Sequence, residues 1–266
     1  MVIGTATRRE AAAMLADFLA SLAFLTRLPT SDTRDDAPPD FTRASRMFPV
    51  VGVIVGLIGA AILVATALLG TPPALAAALA VAATLAVTGA LHEDGLADTL
   101  DGFGGGKTRD RKLEIMRDSN IGTFGAVALI FSILFRVLAL WSLARGDPWR
   151  AGLVLIAAEA VSRAAMLQAW SILPAARADG LAHDTGPPSE SALLTGQAVS
   201  LAVVLALVWP VAGFAAMIAG ILLTVIVTYI FIRMARAQIG GRTGDTLGAC
   251  QQIAVAAFLI GAASAS

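Results

Sequence analysis

Residues 73–106 read PALAAALAVAATLAVTGALHEDGLADTLDGFGGG, and the two halves of this stretch have opposite character. Residues 73–91 contain no charged side chain, whereas residues 92–106 contain four carboxylates and end in glycines. A helix that spans a bilayer needs about 20 mainly apolar residues. The stretch therefore predicts a membrane helix whose end meets a segment rich in acid and glycine.

The whole chain shares this apolar excess. Of its 266 residues, 57% are hydrophobic and 14% are charged, and the mean hydropathy is +0.79. Soluble domains are roughly a quarter charged, so a soluble protein of this composition could not cover its surface with polar groups. We therefore predict membrane lipid as a partner. The 19 basic and 19 acidic residues cancel, and we predict no nucleic-acid partner.

Apolar runs of spanning length recur and predict an all-α fold, a polytopic helical bundle with about seven transmembrane helices. Residues 11–28 are a further apolar segment that either spans the membrane or lies at its interface, because Asp17 and Arg27 interrupt it. The sequence has no internal repeat, so we expect residues 1–266 to form one integral membrane domain. The predicted spans are 47–70, 73–92, 123–144, 151–173, 194–210, 213–232 and 246–264.

Basic residues indicate which side of the membrane each loop faces. Alternating spans put four polar segments on one side, and these segments hold most of the lysines and arginines. The opposite side has Arg145 and Arg150. The positive-inside rule makes the side with more basic residues cytoplasmic, so a site in these loops would face the cytoplasm. The four segments are 29–46, 93–122, 174–193 and 233–245.

The acids after the second predicted span have a spacing that favours a metal site. In a helix, Asp94, Asp98 and Asp101 fall within an arc of about 60° on one face. Such close carboxylates repel one another unless a cation lies among them. Oxygen ligands without cysteine or paired histidine suit Mg²⁺ or Mn²⁺. Mg²⁺ often completes its coordination with substrate phosphate, so the pattern indicates a phosphorylated ligand. The alternative is a solvated helix end.

The residues that follow fit the same interpretation. Gly104 and Gly105 could offer backbone N–H groups to phosphate, and Lys107 and Arg117 add positive charge, although such charge also signals membrane orientation. Asp118 is either a further metal ligand or a cap of the next helix.

Two further groups of polar residues each allow two interpretations of their role. His92, directly before the acids, is either a hydrogen-bond partner or a catalytic base. Arg136, Glu159 and Arg163 fall within predicted spans, where charged groups are costly and are by default functional. Glu159 and Arg163 are four residues apart and could equally form a structural pair on one helix.

A transporter is the main alternative class, because acids in membrane proteins also line ion pathways. Transporters usually bind ions near the midplane, often between two related repeats. The acids of this chain cluster at one boundary of the membrane instead, which favours an enzyme.

GALHEDGLADTLDGFGGG (89–106) and KLEIMRDSNIGTFG (112–125) closely resemble the cobalamin synthase family of adenosylcobinamide-GDP ribazoletransferases. The resemblance covers nearly the whole chain. One departure is Glu93, which stands where the family usually has Leu or Met. The other segments that carry the resemblance are FLTRLP (24–29), MFPVVGVIVG (47–56), SRAAMLQAWSILPAARADGL (162–181) and GGRTGDTLGA (240–249). A weaker similarity links DTLDG (98–102) to the CDP-alcohol phosphotransferases, but the Ala-Arg pair of their motif is missing.

The resemblance implies a multi-pass enzyme of the bacterial inner membrane that uses Mg²⁺, or Mn²⁺ in its place. Its reactants would be adenosylcobinamide-GDP and α-ribazole or α-ribazole 5′-phosphate, and it would release GMP. It leaves open an association with other cobamide-assembly enzymes. We expect Asp94, Asp98, Asp101 and His92 to be catalytic, with Asp118 joining the three aspartates as metal ligands. Further expected substrate contacts are Gly104, Gly105, Lys107, Arg117, Arg177, Arg242 and Asp245, of which Asp245 is alternatively the N-cap of the last span.

Overall fold

A computed structural model describes residues 3–30, 39–178 and 185–266, with side chains described from residue 10 onward. Within these ranges the regular secondary structure is helical, and an isolated bridge pairs the backbones of Ala175 and Arg242. The helices are α1 Ile3–Leu25, α2 Phe41–Ala44, α3 Phe48–Leu68, α4 Pro73–Thr88, α5 Leu91–Gly105, α6 Arg109–Ile115, α7 Thr123–Ala144, α8 Pro148–Ile172, α9 Glu190–Leu207, α10 Trp209–Ile239 and α11 Gly244–Ser264. The predicted all-α polytopic fold is confirmed.

In the part of the chain that the structure describes, six helical segments are long and apolar enough to cross a membrane: Phe41–Leu68, which includes α3, and the helices α7 to α11. The α4 and α5 helices pass the same test as a pair bent by 90°. The predicted spans therefore correspond to α3, α4 and α7 to α11. The α1 helix is outside the six, and the membrane placement of residues 11–28 stays a prediction.

The predicted span 73–92 ends earlier than expected, at Thr88. Gly89 and Ala90 both adopt left-handed backbone conformations, with φ of 63° and 57°. A left-handed residue after the last helical turn is a common helix terminator. The side chain of Arg27 covers Gly89, where a Cβ atom would lie 2.5 Å from the Arg27 Nε. The chain therefore turns sharply before the acidic motif.

The α5 helix lies across one end of the bundle, over the first turns of α7 and α11. A Cβ atom at Gly95 would lie 2.7 Å from the Asp245 carbonyl oxygen, and one at Gly248 would lie 3.2 Å from the His92 Cα. Only glycine permits so close a crossing of two helix backbones. The α5 helix thus runs along the boundary of the bundle, at the end formed by residues 26–30, 39–47, 89–122, 173–178, 185–189 and 240–243, hereafter the polar-loop end.

The α8 helix is the central element of the bundle and is buried along most of its length. The α3 helix packs closely on it because glycines face its backbone. A Cβ atom at Gly52 would lie 2.4 Å from the Glu159 carbonyl oxygen, and one at Gly56 would lie 2.6 Å from the Ile156 Cα. Small residues at such crossings are typical of membrane helices, where close van der Waals contact stabilises packing.

The charged residues inside the bundle form ion pairs. Arg163 pairs with Glu159 on the same helix, so the predicted pair is present. Arg136 of α7 donates to the Glu93 carboxylate of α5 at 3.1 Å. Gln251 of α11 donates to the Ser162 hydroxyl at 2.9 Å. These contacts link α5, α7, α8 and α11. Removing one partner of a buried ion pair leaves an uncompensated charge, at a cost of about 3–5 kcal/mol.

The crossing of α3 and α8 can be tested with Gly56→Ala. The added methyl group would overlap the backbone of Ile156, and overpacking of this kind costs about 1–3 kcal/mol. We expect a lower midpoint of thermal unfolding in detergent. The matched control is Gly244→Ala, because a Cβ atom there would meet no other atom within 4 Å. Equal midpoints for Gly56→Ala and the unmodified protein would contradict the close contact.

Candidate active site

The three predicted aspartates of α5 have different environments. Asp94 is exposed, Asp98 is half-buried and Asp101 is buried. The helix extends through Gly105, so their predicted spacing along one helix is present. The burial of these three side chains increases from Asp94 to Asp101, which packs against the start of α7.

Asp101 has a structural partner that its sequence position did not reveal. Its two carboxylate oxygens accept hydrogen bonds from the backbone N–H groups of Gly122 at 2.7 Å and Gly125 at 2.8 Å. These groups belong to the first turn of α7, where intrahelical partners are lacking. The N-cap residue Gly122 has no side chain to satisfy them, so Asp101 caps α7 from another helix.

Asp98 lies at the centre of the acidic group. Burial is the main reason that the pKa of its carboxyl is raised to about 7. The negative charges of Asp94, Asp245 and Asp101 raise the pKa as well, while the guanidinium of Arg177 acts in the opposite direction. Like charges this close disfavour ionisation. The arrangement therefore has an excess of negative charge that a divalent cation would compensate.

Asp245 joins this group from the first turn of α11. Its carboxylate accepts a hydrogen bond from the Thr243 hydroxyl at 3.2 Å and lies 3.9 Å from an Arg177 nitrogen. Thr243 is the N-cap of α11 and accepts from the Thr246 N–H. The alternative that Asp245 caps this helix is therefore wrong. Arg177 also donates to the Leu113 carbonyl at 2.9 Å, which fixes it between α6 and the acids.

The donor chemistry of this group fits a hard divalent ion. Among the described residues, no three His, Cys, Asp or Glu side chains already form a metal cage. Mg²⁺ rarely needs one, because it commonly keeps water and substrate phosphate beside one or two carboxylates. Asp94, Asp98 and Asp245 together supply the oxygen ligands that such an ion prefers.

The structure does not bring Asp118 into this group. Asp118 is exposed, and it accepts hydrogen bonds from the Asn120 backbone N–H at 3.0 Å and from the Asn120 side-chain amide at 2.7 Å. The backbone bond is the main cause of its lowered pKa. Asp118 is not among the charges that act on Asp98. Its carboxylate therefore stabilises its own turn, and metal binding by it stays a prediction.

The glycines at the end of α5 allow close packing. A Cβ atom at Gly104 would lie 2.5 Å from the Phe124 ring, and one at Gly105 would lie 3.3 Å from Ile115. A Cβ atom at Gly106 would lie 2.7 Å from the backbone nitrogen of Lys112. This packing accounts for the glycine run without a ligand, and phosphate binding by it stays a prediction.

The expected basic contacts occupy different places. Lys107 and Arg117 are exposed beside α6. Arg242 is buried and donates to the Leu173 carbonyl, so it joins the loop before α11 to the end of α8. Arg109, which sequence reasoning did not single out, also joins separate segments of the chain. It donates to the Ile239 carbonyl at 3.0 Å and to the Ala176 carbonyl.

A cleft of about 240 Å³ opens beside the acids. His92 is buried and contributes to its wall, and so do Asp94 and Asp245. The cleft is also lined by aromatic residues that sequence reasoning did not select, namely Phe24, Phe48 and Trp170. A signal was present, since each lies in a segment that carries the family resemblance: FLTRLP, MFPVVGVIVG and SRAAMLQAWSILPAARADGL.

Comparisons with known proteins agree with this architecture. The sequence profile of the cobalamin-5-phosphate synthase family matches residues 17–263. The adenosylcobinamide-GDP ribazoletransferase of Azorhizobium caulinodans is 46% identical over 251 residues, which cover 93% of this chain and 95% of the relative. The Brucella melitensis protein of the same name is 45% identical over 93% of this chain and 96% of its own length. No solved structure matches the chain. The chain therefore belongs to the cobalamin-5-phosphate synthase family, and it is an enzyme.

Proposed function

We propose that this enzyme transfers the adenosylcobinamide phosphate group of adenosylcobinamide-GDP to α-ribazole or α-ribazole 5′-phosphate. The observation that carries the proposal is the convergence of Asp94, Asp98 and Asp245 with Arg177 at the polar-loop end. Carboxylates beside an arginine fit a diphosphate that carries a metal ion. The names of the relatives supply the two substrates.

The reaction is a displacement at phosphorus. The ribazole hydroxyl oxygen attacks the phosphorus that bears the aminopropanol arm, and the bond from this phosphorus to the bridging oxygen breaks. GMP leaves with the bridging oxygen, and the hydroxyl proton passes to a base. The product is adenosylcobalamin, or its 5′-phosphate when the acceptor carries a phosphate.

Asp94, Asp98 and Asp245 are the residues that would hold Mg²⁺, with Asp101 beside them. The ion, when bound, would neutralise charge that develops on the phosphate oxygens. Arg177 lies 3.9 Å from Asp245 and is suited to donate to the same phosphates. The hydroxyl proton would pass to a carboxylate oxygen of this acidic group or to His92, which is buried in the wall of the cleft.

The proposed location is the bacterial inner membrane, with the acids facing the cytoplasm. Arg43, Arg46, Arg109 and Arg177 lie at the polar-loop end together with the acids. An excess of basic residues in short loops favours the cytoplasmic side. Nucleotide-linked substrates in the cytoplasm would then reach the site directly.

The acids can be tested with Asp94→Asn and Asp98→Asn in purified enzyme. We expect the rate of GMP release to fall on the order of 100- to 1,000-fold, as when one stabilising group of a transition state is removed. The matched control is Asp110→Asn, because the Asp110 side chain is 93% exposed and lies on α6. Near-normal GMP release from Asp98→Asn at saturating Mg²⁺ would contradict the assignment.

Metal dependence can be tested by chelation. Treatment with EDTA should abolish GMP release, and added Mg²⁺ or Mn²⁺ should restore it, because oxygen ligands favour hard ions. Electron paramagnetic resonance of added Mn²⁺ gives a second readout, and Asp98→Asn should weaken this binding. Full activity in excess chelator would exclude the metal from the reaction.

The cap of α7 predicts a separate effect for Asp101. Asp101→Ala removes both acceptors of the Gly122 and Gly125 N–H groups, and loss of a cap costs about 1 kcal/mol. We expect its thermal midpoint in detergent to fall, with Asp101→Asn in between because the amide keeps one acceptor oxygen. Asp98→Asn serves as the comparison, since it relieves like-charge repulsion and should not lower the midpoint. An unchanged midpoint for Asp101→Ala would refute the capping role.

A further inference from the structure

We propose that the cleft beside the acids, which Phe24 of α1, Phe48 of α3 and Trp170 of α8 help to line, binds the planar aromatic base of the ribazole acceptor. This inference rests on the proposed function and adds the place and the recognition chemistry of one substrate. The cleft is continuous with the carboxylates, since Asp94 and Asp245 contribute to its wall.

The aromatic wall suits a flat, uncharged ring. The ring centroids of Phe48 and Trp170 are 6.0 Å apart, and those of Phe24 and Phe48 are 6.1 Å apart with an interplanar angle of 23°. At these spacings the rings pack on one another and form one aromatic cluster, in which Phe48 is fully buried and Phe24 is the most exposed ring. The Trp170 indole N–H donates to the Gly186 carbonyl at 2.7 Å, so its polar atom is satisfied and its ring is fixed in orientation.

The size of the cleft limits which part of the two substrates can bind in it. Sites that enclose a whole drug-sized ligand measure about 300–1,000 Å³, whereas this cleft measures about 240 Å³. It can hold one bicyclic ring, but not a corrin macrocycle. The donor would then lie outside the cleft with its diphosphate at the acids, and the acceptor base would lie within it.

The aromatic and the acidic residues that line the cleft match the two parts of a ribazole. Its base is aromatic and apolar, like the wall of Phe24, Phe48 and Trp170. Its ribose is polar and carries the attacking hydroxyl, which belongs beside Asp94 and Asp245. A base bound on the aromatic side therefore leaves the sugar toward the acids, where the displacement is proposed to occur.

Gly244 offers a way to fill the cleft without disturbing the fold. It is the first residue of α11 and contributes to the cleft, yet a Cβ atom there would meet no other atom within 4 Å. A larger side chain at this position would compete with the acceptor for space. The Cβ atom of that side chain would not displace any neighbouring protein atom.

The decisive experiment compares Gly244→Leu with Gly244→Ala in the transfer assay. We expect Gly244→Leu to raise the KM for α-ribazole on the order of tenfold, because it removes binding that is common to ground and transition states. The KM for adenosylcobinamide-GDP and the thermal midpoint should stay unchanged, and Gly244→Ala should have a smaller effect. An unchanged KM for α-ribazole, or an equal rise in both KM values, would overturn the proposal.

A binding measurement without turnover separates this proposal from the proposed function. Addition of α-ribazole alone should change the tryptophan fluorescence of the enzyme, and Trp170→Phe should abolish this change. If GMP is released but α-ribazole leaves Trp170 unaffected, the cleft assignment fails and the proposed function stands. If α-ribazole binds at Trp170 but no GMP forms with the donor, the proposed function fails.

A lipid chain is the competing occupant, because Phe24 and Leu91 at the cleft are 37% and 39% exposed. Phospholipids with brominated acyl chains quench a tryptophan that they contact. Quenching of Trp170 that saturating α-ribazole relieves would support the proposal. Quenching that α-ribazole leaves unchanged would assign the cleft to lipid and overturn it.

Discussion

The close crossing of α5 over the first turns of α7 and α11 is the constraint on which the rest of the structure depends. Gly95 and Gly248 allow the α5 and α11 backbones to approach, and Asp101 fixes α5 to the start of α7 through two backbone hydrogen bonds. A helix in this position is bent by 90° from the direction of α4. It holds a row of carboxylates at the boundary of the bundle, within reach of Asp245.

The charges of the bundle are arranged in two different ways. In the interior, Arg136 pairs with Glu93, and Arg163 pairs with Glu159, so these four buried charges have opposite partners. At the polar-loop end, by contrast, acids lie close to one another, and burial and the neighbouring acids raise the pKa of Asp98. Buried pairs are costly to break and give rigidity. An unbalanced group of acids at the surface instead suits a cation that arrives with its substrate.

Different helices contribute different parts of the site. The α5 helix and the start of α11 supply the acids, and the ends of α1, α3 and α8 supply the aromatic rings of the cleft. Basic side chains such as Arg109 hold the loops between these elements by donating to backbone carbonyls. The site is therefore built at the ends of several rigid helices, which favours precise placement of two substrates relative to each other.

The sequence by itself determined the membrane character, the predicted spans, the side that carries the polar loops and the acidic motif with Asp94 and Asp98. These features follow from local composition and helical periodicity, which act over neighbouring residues. The tertiary structure decided that Asp101 caps α7 and that Glu93 pairs with Arg136. It also decided that Trp170 lines the same cleft as Asp94 and Asp245. Each of these contacts joins residues far apart in the chain, and local periodicity carries no information on which helices cross or where their side chains meet.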